Sequence, residues 1–466
     1  MPRWPQVVGG ALLLAGLSLS FLASCERSGR LFQPKPGGET GNDAGAPCAG
    51  SQCAPVDCVM TTAPPQCQVS CPGGNVTTLT GKVFAPNGTL PLYNAIVYVP
   101  RQQTMPLING ASCEPCGAKV SGSPIVAALT DASGSFTLTN VPVGDKIPLV
   151  VQLGKWRRQI TVSVPPCTTT VVDAGSTRLP KNQNEGDMPQ MAIATGGADP
   201  FECLLLKMGI DIAEFTPSGG GGRVTFLLAD DGPGLSMPNA QKAHTVTGTA
   251  SALQANDILI LPCEGLVWPK GDAPNLVDYL NMGGRVFATH FSESWLNYAN
   301  SPYTVLGAWD PAGYDSLEPY PGIIDQSFPK GIAFAQWFHN VSPAINGQFN
   351  ILDHNNNLDS LNAMYGQRWI YHAGDNKPQL MTFNTPLNPP LGPDKQAQYC
   401  GRALYFDFHV STDALNTIDG KDFPTNCGGY PNLRPMTDQE KALVFMLFDL
   451  SSCVQPDSEE PMPPIG

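Results

Sequence analysis

The sequence predicts a multidomain chain in which an antiparallel β-sandwich precedes an α/β doubly wound parallel sheet. Three observations lead there. The 466 residues exceed what one ordinary hydrophobic core organises. Between residues 76 and 173, short β-branched runs such as "VTTLTGKVFA", "NAIVYVP", "KIPLVVQLG" and "RRQITVSVPP" alternate with turn residues, the pattern of a sandwich. From Met191 the pattern changes to alternating strands and helices. "QMAIAT", "VTFLLAD", "DILILP" and "RVFATHF" are apolar on both faces, as buried parallel strands are.

Charge and composition set the compartment. Lys+Arg number 26 against 39 Asp+Glu, a net charge of -13, with no Lys/Arg run. This argues against nucleic acid and anionic membrane surfaces as partners. Charged residues make up only 14%, while Gly (48) and Pro (46) are abundant, as in loop-rich secreted proteins. Arg3 precedes an uncharged stretch from Trp4 to Ser24, which predicts a signal peptide over 1–24. "LASC", Leu22–Cys25, resembles the bacterial lipobox. That resemblance implies acylation of Cys25, removal of the preceding peptide and a lipid anchor at the periplasmic face or cell surface of a bacterial envelope. Fourteen cysteines fit an oxidising compartment. With Cys25 set aside the number is odd, so at least one thiol is expected free unless a partner supplies its mate.

Residues 25–72 read as a Pro/Gly-rich stalk stapled by Cys48, Cys53, Cys58, Cys67 and Cys71. No histidine lies nearby and the cluster has no CxxC pair, so disulfides are expected rather than zinc. Residues 73–175 form the sandwich. In "TDASGSFTLTNVPVGD", Asp131 to Gly134 supply turn chemistry for a hairpin, and Phe136 and Leu138 alternate onto one face. Together with "GKVFAPNGTLPLYNAIVYVP", this segment resembles the carboxypeptidase regulatory-like domain, a transthyretin-like sandwich. The resemblance implies a non-catalytic module that aids folding, display or binding. The insertion "RQQTMPLINGASCEPCGAKVSGSP" departs from it. Its Cys113 and Cys116, with Cys167 nearby in sequence, are expected in structural pairs rather than in redox or metal work.

Residues 176–188 read as a polar linker and 189–453 as the α/β domain. Helices are expected at "GGADPFECLLLKMGI" and at "NLVDYLNMG", before Gly283-Gly284. A last helix, "TDQEKALVFMLFDLSS", begins with a Thr437–Glu440 capping box and carries a Leu443, Met446, Leu447, Leu450 stripe. The order of "DILILPCEG", "LVDYLNMGGRVFATHFS" and "RALYFDFHVS" resembles the flavodoxin-like sheet of the class I glutamine amidotransferase-like superfamily. That resemblance places the nucleophile elbow at His290, where the family has cysteine. Imidazole does not replace a thiolate as a stable acyl carrier there. His409 falls near the family's catalytic histidine. Cys263 falls on the turn whose backbone N–H groups would form an oxyanion hole, which implies a structural role. A Cys203–Cys263 disulfide is the leading expectation, with a free buried thiol or a catalytic thiol as alternatives.

The carboxyl edge of the sheet collects Asp199, Glu264, His290, Ser292, Glu293 and His409. Such a group suits metal binding or acid–base work, and equally suits hydrogen-bonded core residues. The "TGGADP" turn reads as an anion cradle or, more simply, a tight turn. "DHNNNLDSLN", from Asp353, has the alternation of a calcium loop. Leu358 and Met364 stand where an EF-hand needs Gly and Glu, so a polar loop is expected. Trp295, Trp309, Trp337, Phe338, Trp369 and Tyr371 are expected mostly in the core, with a sugar-binding cleft as the alternative. Two of Cys400, Cys427 and Cys453 are expected to pair, and the acidic, Pro-rich tail 454–466 to be disordered. These features predict an envelope lipoprotein with a binding, display or scaffolding role toward a glycan or peptide and no cofactor. The alternatives are a hydrolase or metal-assisted enzyme using His290, His409, Glu264 and Glu293, or a mechanical spacer.

Overall fold

The computed structural model describes residues 57–229, 234–267, 270–310, 312–313, 318–343, 347–392, 395–410 and 422–463. The expected signal peptide, Cys25, Cys48 and Cys53 lie outside them. The chain is mostly β-structure in several sheets, with six α-helices among the described residues.

The β-branched runs form β1 (Thr78–Lys82), β2 (Ile96–Pro100), β3 (Pro124–Leu129), β4 (Ser135–Thr139), β5 (Gly144–Leu153), β6 (Trp156–Val164) and β7 (Thr169–Val171). They make two sheets, ordered β4-β1-β7 and β3-β2-β5-β6. All pairings are antiparallel except β1 with β7. On β4, Phe136 and Leu138 are buried while Thr137 and Thr139 are exposed, the period-two pattern of a half-buried strand. Both residues share an apolar cluster with Val97, Val99, Leu149 and Val151 of the other sheet. The expected hairpin is instead an arch, because β3 and β4 belong to different sheets. Asp131 holds the turn, its Oδ1 accepting the backbone N–H groups of Ser133 (2.8 Å) and Ser135 (3.0 Å).

Apart from a few strands of two to four residues, the large sheet is built from β8 (Met191–Thr195), β9 (Phe215–Pro217), β10 (Val224–Leu228), β11 (Ile258–Leu261), β12 (Arg285–Thr289), β13 (Tyr320–Ile324), β14 (Gln348–Ile351), β15 (Gly366–His372), β16 (Pro378–Thr385) and β17 (Gly401–Phe406). Their order is β9-β10-β8-β11-β12-β17-β16-β15-β13-β14. The first six are mutually parallel. From β17 onward the pairing is antiparallel. The expected parallel sheet is therefore mixed. The short turn 373–377 between β15 and β16 permits only antiparallel pairing, whereas a helical crossover serves β11 and β12.

The helices are α1 (Phe201–Lys207), α2 (His244–Thr247), α3 (Ala250–Gln254), α4 (Ala273–Asn281), α5 (Pro329–Val341) and α6 (Asp438–Ser451). Alternate strand residues point to opposite faces. Ile193, Phe226, Ile260, Phe287 and Leu404 pack with α1, α5 and α6. Ala192, Leu259, Val286, Ala288 and Ala403 pack with α3 and α4. Burial on both faces explains why these strands lack polar alternation.

The capping box on α6 forms as expected, and the expected stripe is buried. The helix is in fact buried all round from Ala442 to Ser451, because the sandwich covers its other side. Trp156 meets Phe448 with ring centroids 5.9 Å apart, and Trp337 Nε1–H donates to Pro91 O at 2.6 Å. The two expected domains thus share one core, and Pro55–Gly466 forms one compact unit.

This docking corrects several expectations. The 176–188 segment, expected as a polar linker, lies against the sandwich, with Arg157 paired to Asp187 at 2.8 Å and Leu179 N–H donating to Phe84 O at 2.9 Å. The described end of the stalk joins the sandwich through Arg101–Asp57 (2.8 Å) and Val143 N–H to Cys67 O (2.9 Å). The tail is anchored by buried Asp457, which sits 2.7 Å from Arg402 and 3.2 Å from Lys330. Among the described residues the disulfides are Cys58–Cys67, Cys71–Cys167, Cys113–Cys400, Cys116–Cys453 and Cys203–Cys427. No pair forms among Cys400, Cys427 and Cys453, and Cys167 does not pair with the insertion. Cys203–Cys263 does not form either. Cys203 faces the same apolar cluster as Cys427, while Cys263 lies outside both clusters, beyond the strand edge, as a free buried thiol. No described helix is long and apolar enough to cross a membrane.

Candidate functional site

Strands β8, β11, β12 and β17 are parallel neighbours, so their carboxyl ends lie side by side. An α/β sheet presents its ligand crevice at that edge. Just past those ends stand Asp199, Cys263, His290 and His409, and the structure brings all four together. Asp199 is fully buried. Its Oδ1 accepts from His409 Nδ1 at 3.1 Å and from Val410 N at 2.7 Å. Its Oδ2 accepts from Cys263 N at 3.3 Å and from the Thr289 hydroxyl. Burial alone would raise its pKa, but the charge of His409 and these donors bring the carboxyl below its usual range.

Cys263 is also fully buried. Its Sγ lies 3.3 Å from His290 Nδ1 and accepts the Gly265 N–H at 3.3 Å. Burial first, then the charge of Asp199, push the thiol far above its ordinary range. The thiol is therefore protonated and poorly nucleophilic. The Cys263 N–H is taken by Thr289 Oγ1 (2.8 Å) as well as by Asp199, so the turn has no free donor there for an oxyanion.

His290 follows β12 directly with φ 40°, the left-handed region that a non-glycine residue enters only under constraint. Its ring stacks on Phe291 and meets His409 edge-on, with centroids 3.6 and 4.8 Å away. Burial and the neighbouring His409 hold its pKa well below the usual histidine value, so the ring is neutral. Its Nε2 makes no well-formed hydrogen bond.

The other candidates divide. Glu264 is ion-paired with Lys270 at 2.7 Å, and Ser292 donates to Pro262 O at 2.9 Å. Both fasten the turn rather than join the cluster. Glu293 is buried with one oxygen unpartnered, and burial with Asp407 and Asp310 pushes its pKa up to about 8. The "TGGADP" turn is structural. A Cβ on Gly196 would come within 2.1 Å of Cys263 O, and Ala198 N–H donates to that same oxygen at 3.1 Å. The aromatic candidates are scattered through the core. Trp337, Phe338 and Trp369 lie in one apolar cluster and Trp295 in the other. Tyr371, under the Arg368 guanidinium at 4.0 Å, belongs to neither cluster.

Sequence reasoning missed two groups, and the burial of a third. Asp407 is fully buried, accepts from Leu358 N at 2.9 Å, and is pushed up to about 6 by burial. Its signal was the alternation of Asp407 with His409. Glu202 on α1 is fully buried with both oxygens unpartnered, and burial pushes it up to about 8. The loop from Asp353 to Asn357 is polar, as expected, and is buried. Asp353, Asn355 and Asn357 are buried against the end of β17, where Asn355 N–H donates to Asp407 O at 2.8 Å.

The arrangement is closed off from the surface: Cys263, His290, His409 and Asp199 are each at most 4% exposed. Cys263, His290 and His409 each offer one ligand atom, and these atoms lie within 4.8 Å of one another.

No family model matches the chain, and no curated protein matches it. Among solved structures it is similar to a β-galactosidase from Rahnella sp. R3 (12% identity, TM-score 0.25). That match covers 47% of this chain and 29% of that one, so the chain spans under a third of the β-galactosidase. It is also similar to the mmIFT52 N-terminal domain (10% identity, TM-score 0.28, covering 56% and 97%). A ThuA-like protein from Bacteroides uniformis matches at 12% identity and TM-score 0.23, covering 55% and 88%. At these TM-scores the likenesses carry no inference about fold or activity.

Proposed function

We propose that the chain is an envelope-anchored lipoprotein with a binding, display or scaffolding role. In this reading a carboxypeptidase regulatory-like, transthyretin-like sandwich is fused to an amidotransferase-like, flavodoxin-like sheet that lacks the elbow nucleophile. The observation that carries the reading is the sealing of Cys263: a protonated thiol with no exposed surface, beside a turn whose N–H is already used. Five disulfides fit a non-cytoplasmic compartment. A cavity of about 350 Å³ beside the sandwich insertion, lined by Ile96, Leu107, Ile108, Lys119 and Gln152, offers a mixed apolar and polar seat for a peptide or glycan.

Mass spectrometry of the membrane-extracted protein is expected to find the lipid on Cys25. Immobilised envelope peptides and glycans should retain the protein, and Ile108→Asp should abolish that retention. No retention on either support, or labelling of native Cys263 by a glutamine-like electrophile, would sink the reading. The convergence of His290, His409 and Asp199 favours a second reading, a metal-assisted hydrolase, for which turnover of those same ligands is the test.

A further inference from the structure

We propose that Cys263, His290 and His409 form a buried site for one zinc-class transition-metal ion, with Asp199 as the positioning carboxylate. The display reading needs Cys263 only to be sealed from reagents, and a bound ion keeps it sealed while holding it as a thiolate in place of the thiol. The three ligand atoms lie within 4.8 Å of one another, and Cys263 Sγ is 3.3 Å from His290 Nδ1. Around a tetrahedral zinc, with sulfur at about 2.3 Å and nitrogen at about 2.0–2.1 Å, ligand atoms stand roughly 3.3–3.8 Å apart. The cluster needs only small side-chain movements to reach that spacing.

The surroundings are those of a ligand set. Asp199 accepts from His409 Nδ1 at 3.1 Å and so fixes the orientation of the ring. Metal-bound histidines are oriented by a carboxylate in this way. Asp199 is itself held by Val410 N–H, the Thr289 hydroxyl and Cys263 N–H, so the orientation is over-determined. Gly265 N–H donates to the Cys263 sulfur and would stabilise it as a thiolate. His290 keeps a left-handed backbone, and its Nδ1 lies against the sulfur. A thiolate and two imidazoles select zinc or a similar borderline ion over calcium or magnesium. The ion displaces the Cys263 thiol proton and the extra proton of the charged His409 ring, both of which pass to solvent, and it enters as the chain folds because the finished site is closed.

The full-length protein, produced with zinc in the medium and dialysed, should carry one equivalent of zinc by elemental mass spectrometry. Produced with Co²⁺ instead, it should show a near-ultraviolet thiolate-to-cobalt charge-transfer band. Cys263→Ser and His290→Ala should each lower bound zinc at least about tenfold while the disulfide map stays unchanged. Wild-type zinc below about 0.1 equivalent without a cobalt band would overturn the proposal, as would full zinc in either variant. Should a variant fail to fold, the wild-type stoichiometry and cobalt band decide alone.

Discussion

Asp457→Asn tests whether the tail is part of the fold. Asp457, Asp449, Arg402 and Lys330 form a buried four-charge cluster joining the tail, α6, β17 and α5. Arg402 Nη2 lies 2.7 Å from Asp457 and 2.8 Å from Asp449, and Lys330 Nζ lies 3.2 and 3.1 Å from the same two. Two carboxylates balance two cations. The amide keeps the shape but leaves one buried positive charge uncompensated, at a cost of about 3–5 kcal/mol. Burial alone would raise the Asp457 carboxyl; Arg402 and Lys330 overturn that and hold it down to about 2 against an ordinary 3.8. A depressed carboxyl stabilises the fold above its unfolded pKa and loses that contribution as pH falls through the folded value. The shift of nearly two units corresponds to about 2 kcal/mol, lost between pH 4 and 2. Urea unfolding of oxidised wild type and variant, followed by tryptophan fluorescence, should show a gap of about 3–5 kcal/mol at pH 7 that narrows by about 2 kcal/mol at pH 2. Equal midpoints at pH 7, or a gap that does not change with pH, would refute the reasoning.

Glu202→Gln should raise stability at alkaline pH. The folded carboxyl, pushed up to about 8 by burial, keeps its proton where the unfolded chain releases it, so wild-type stability falls as pH rises from about 4.5 to 8. The variant lacks that slope and should gain about 4 kcal/mol at pH 8, read from denaturation midpoints across pH. Trp337→Ala should cost about 3–5 kcal/mol, and hydrogen exchange should rise in both the sandwich and α6, because this side chain bridges them. Exchange confined to one portion would contradict a shared core. Non-reducing peptide maps should recover Cys203–Cys427, Cys113–Cys400 and Cys116–Cys453. Removing the first pair as Cys203→Ser/Cys427→Ser should cost about 2–5 kcal/mol. A Cys203–Cys263 peptide would be the contrary result.

Local pattern determined the elements. Period-two burial in β4, the two-faced apolar runs of β8, β10, β11 and β12, and the Thr437–Glu440 box all follow from contacts a few residues apart, which is why they were legible in the sequence. The gathering of Asp199, His290 and His409 was legible for a related reason: parallel neighbours place their carboxyl ends together whatever the loops do. Tertiary structure alone decided the rest. Whether β3 and β4 form a hairpin or an arch depends on which sheet each strand joins. The partner of Cys203 lies 224 residues away, and that of Cys113 lies 287 away. Nothing local marks which of several thiols will arrive. An acidic, Pro-rich tail reads as solvated until Arg402 and Lys330, remote in sequence, offer its Asp457 a buried partner. Desolvation likewise depends on the finished packing, so the sealing of Cys263 and the raised carboxyl of Glu202 had no signature in residue order.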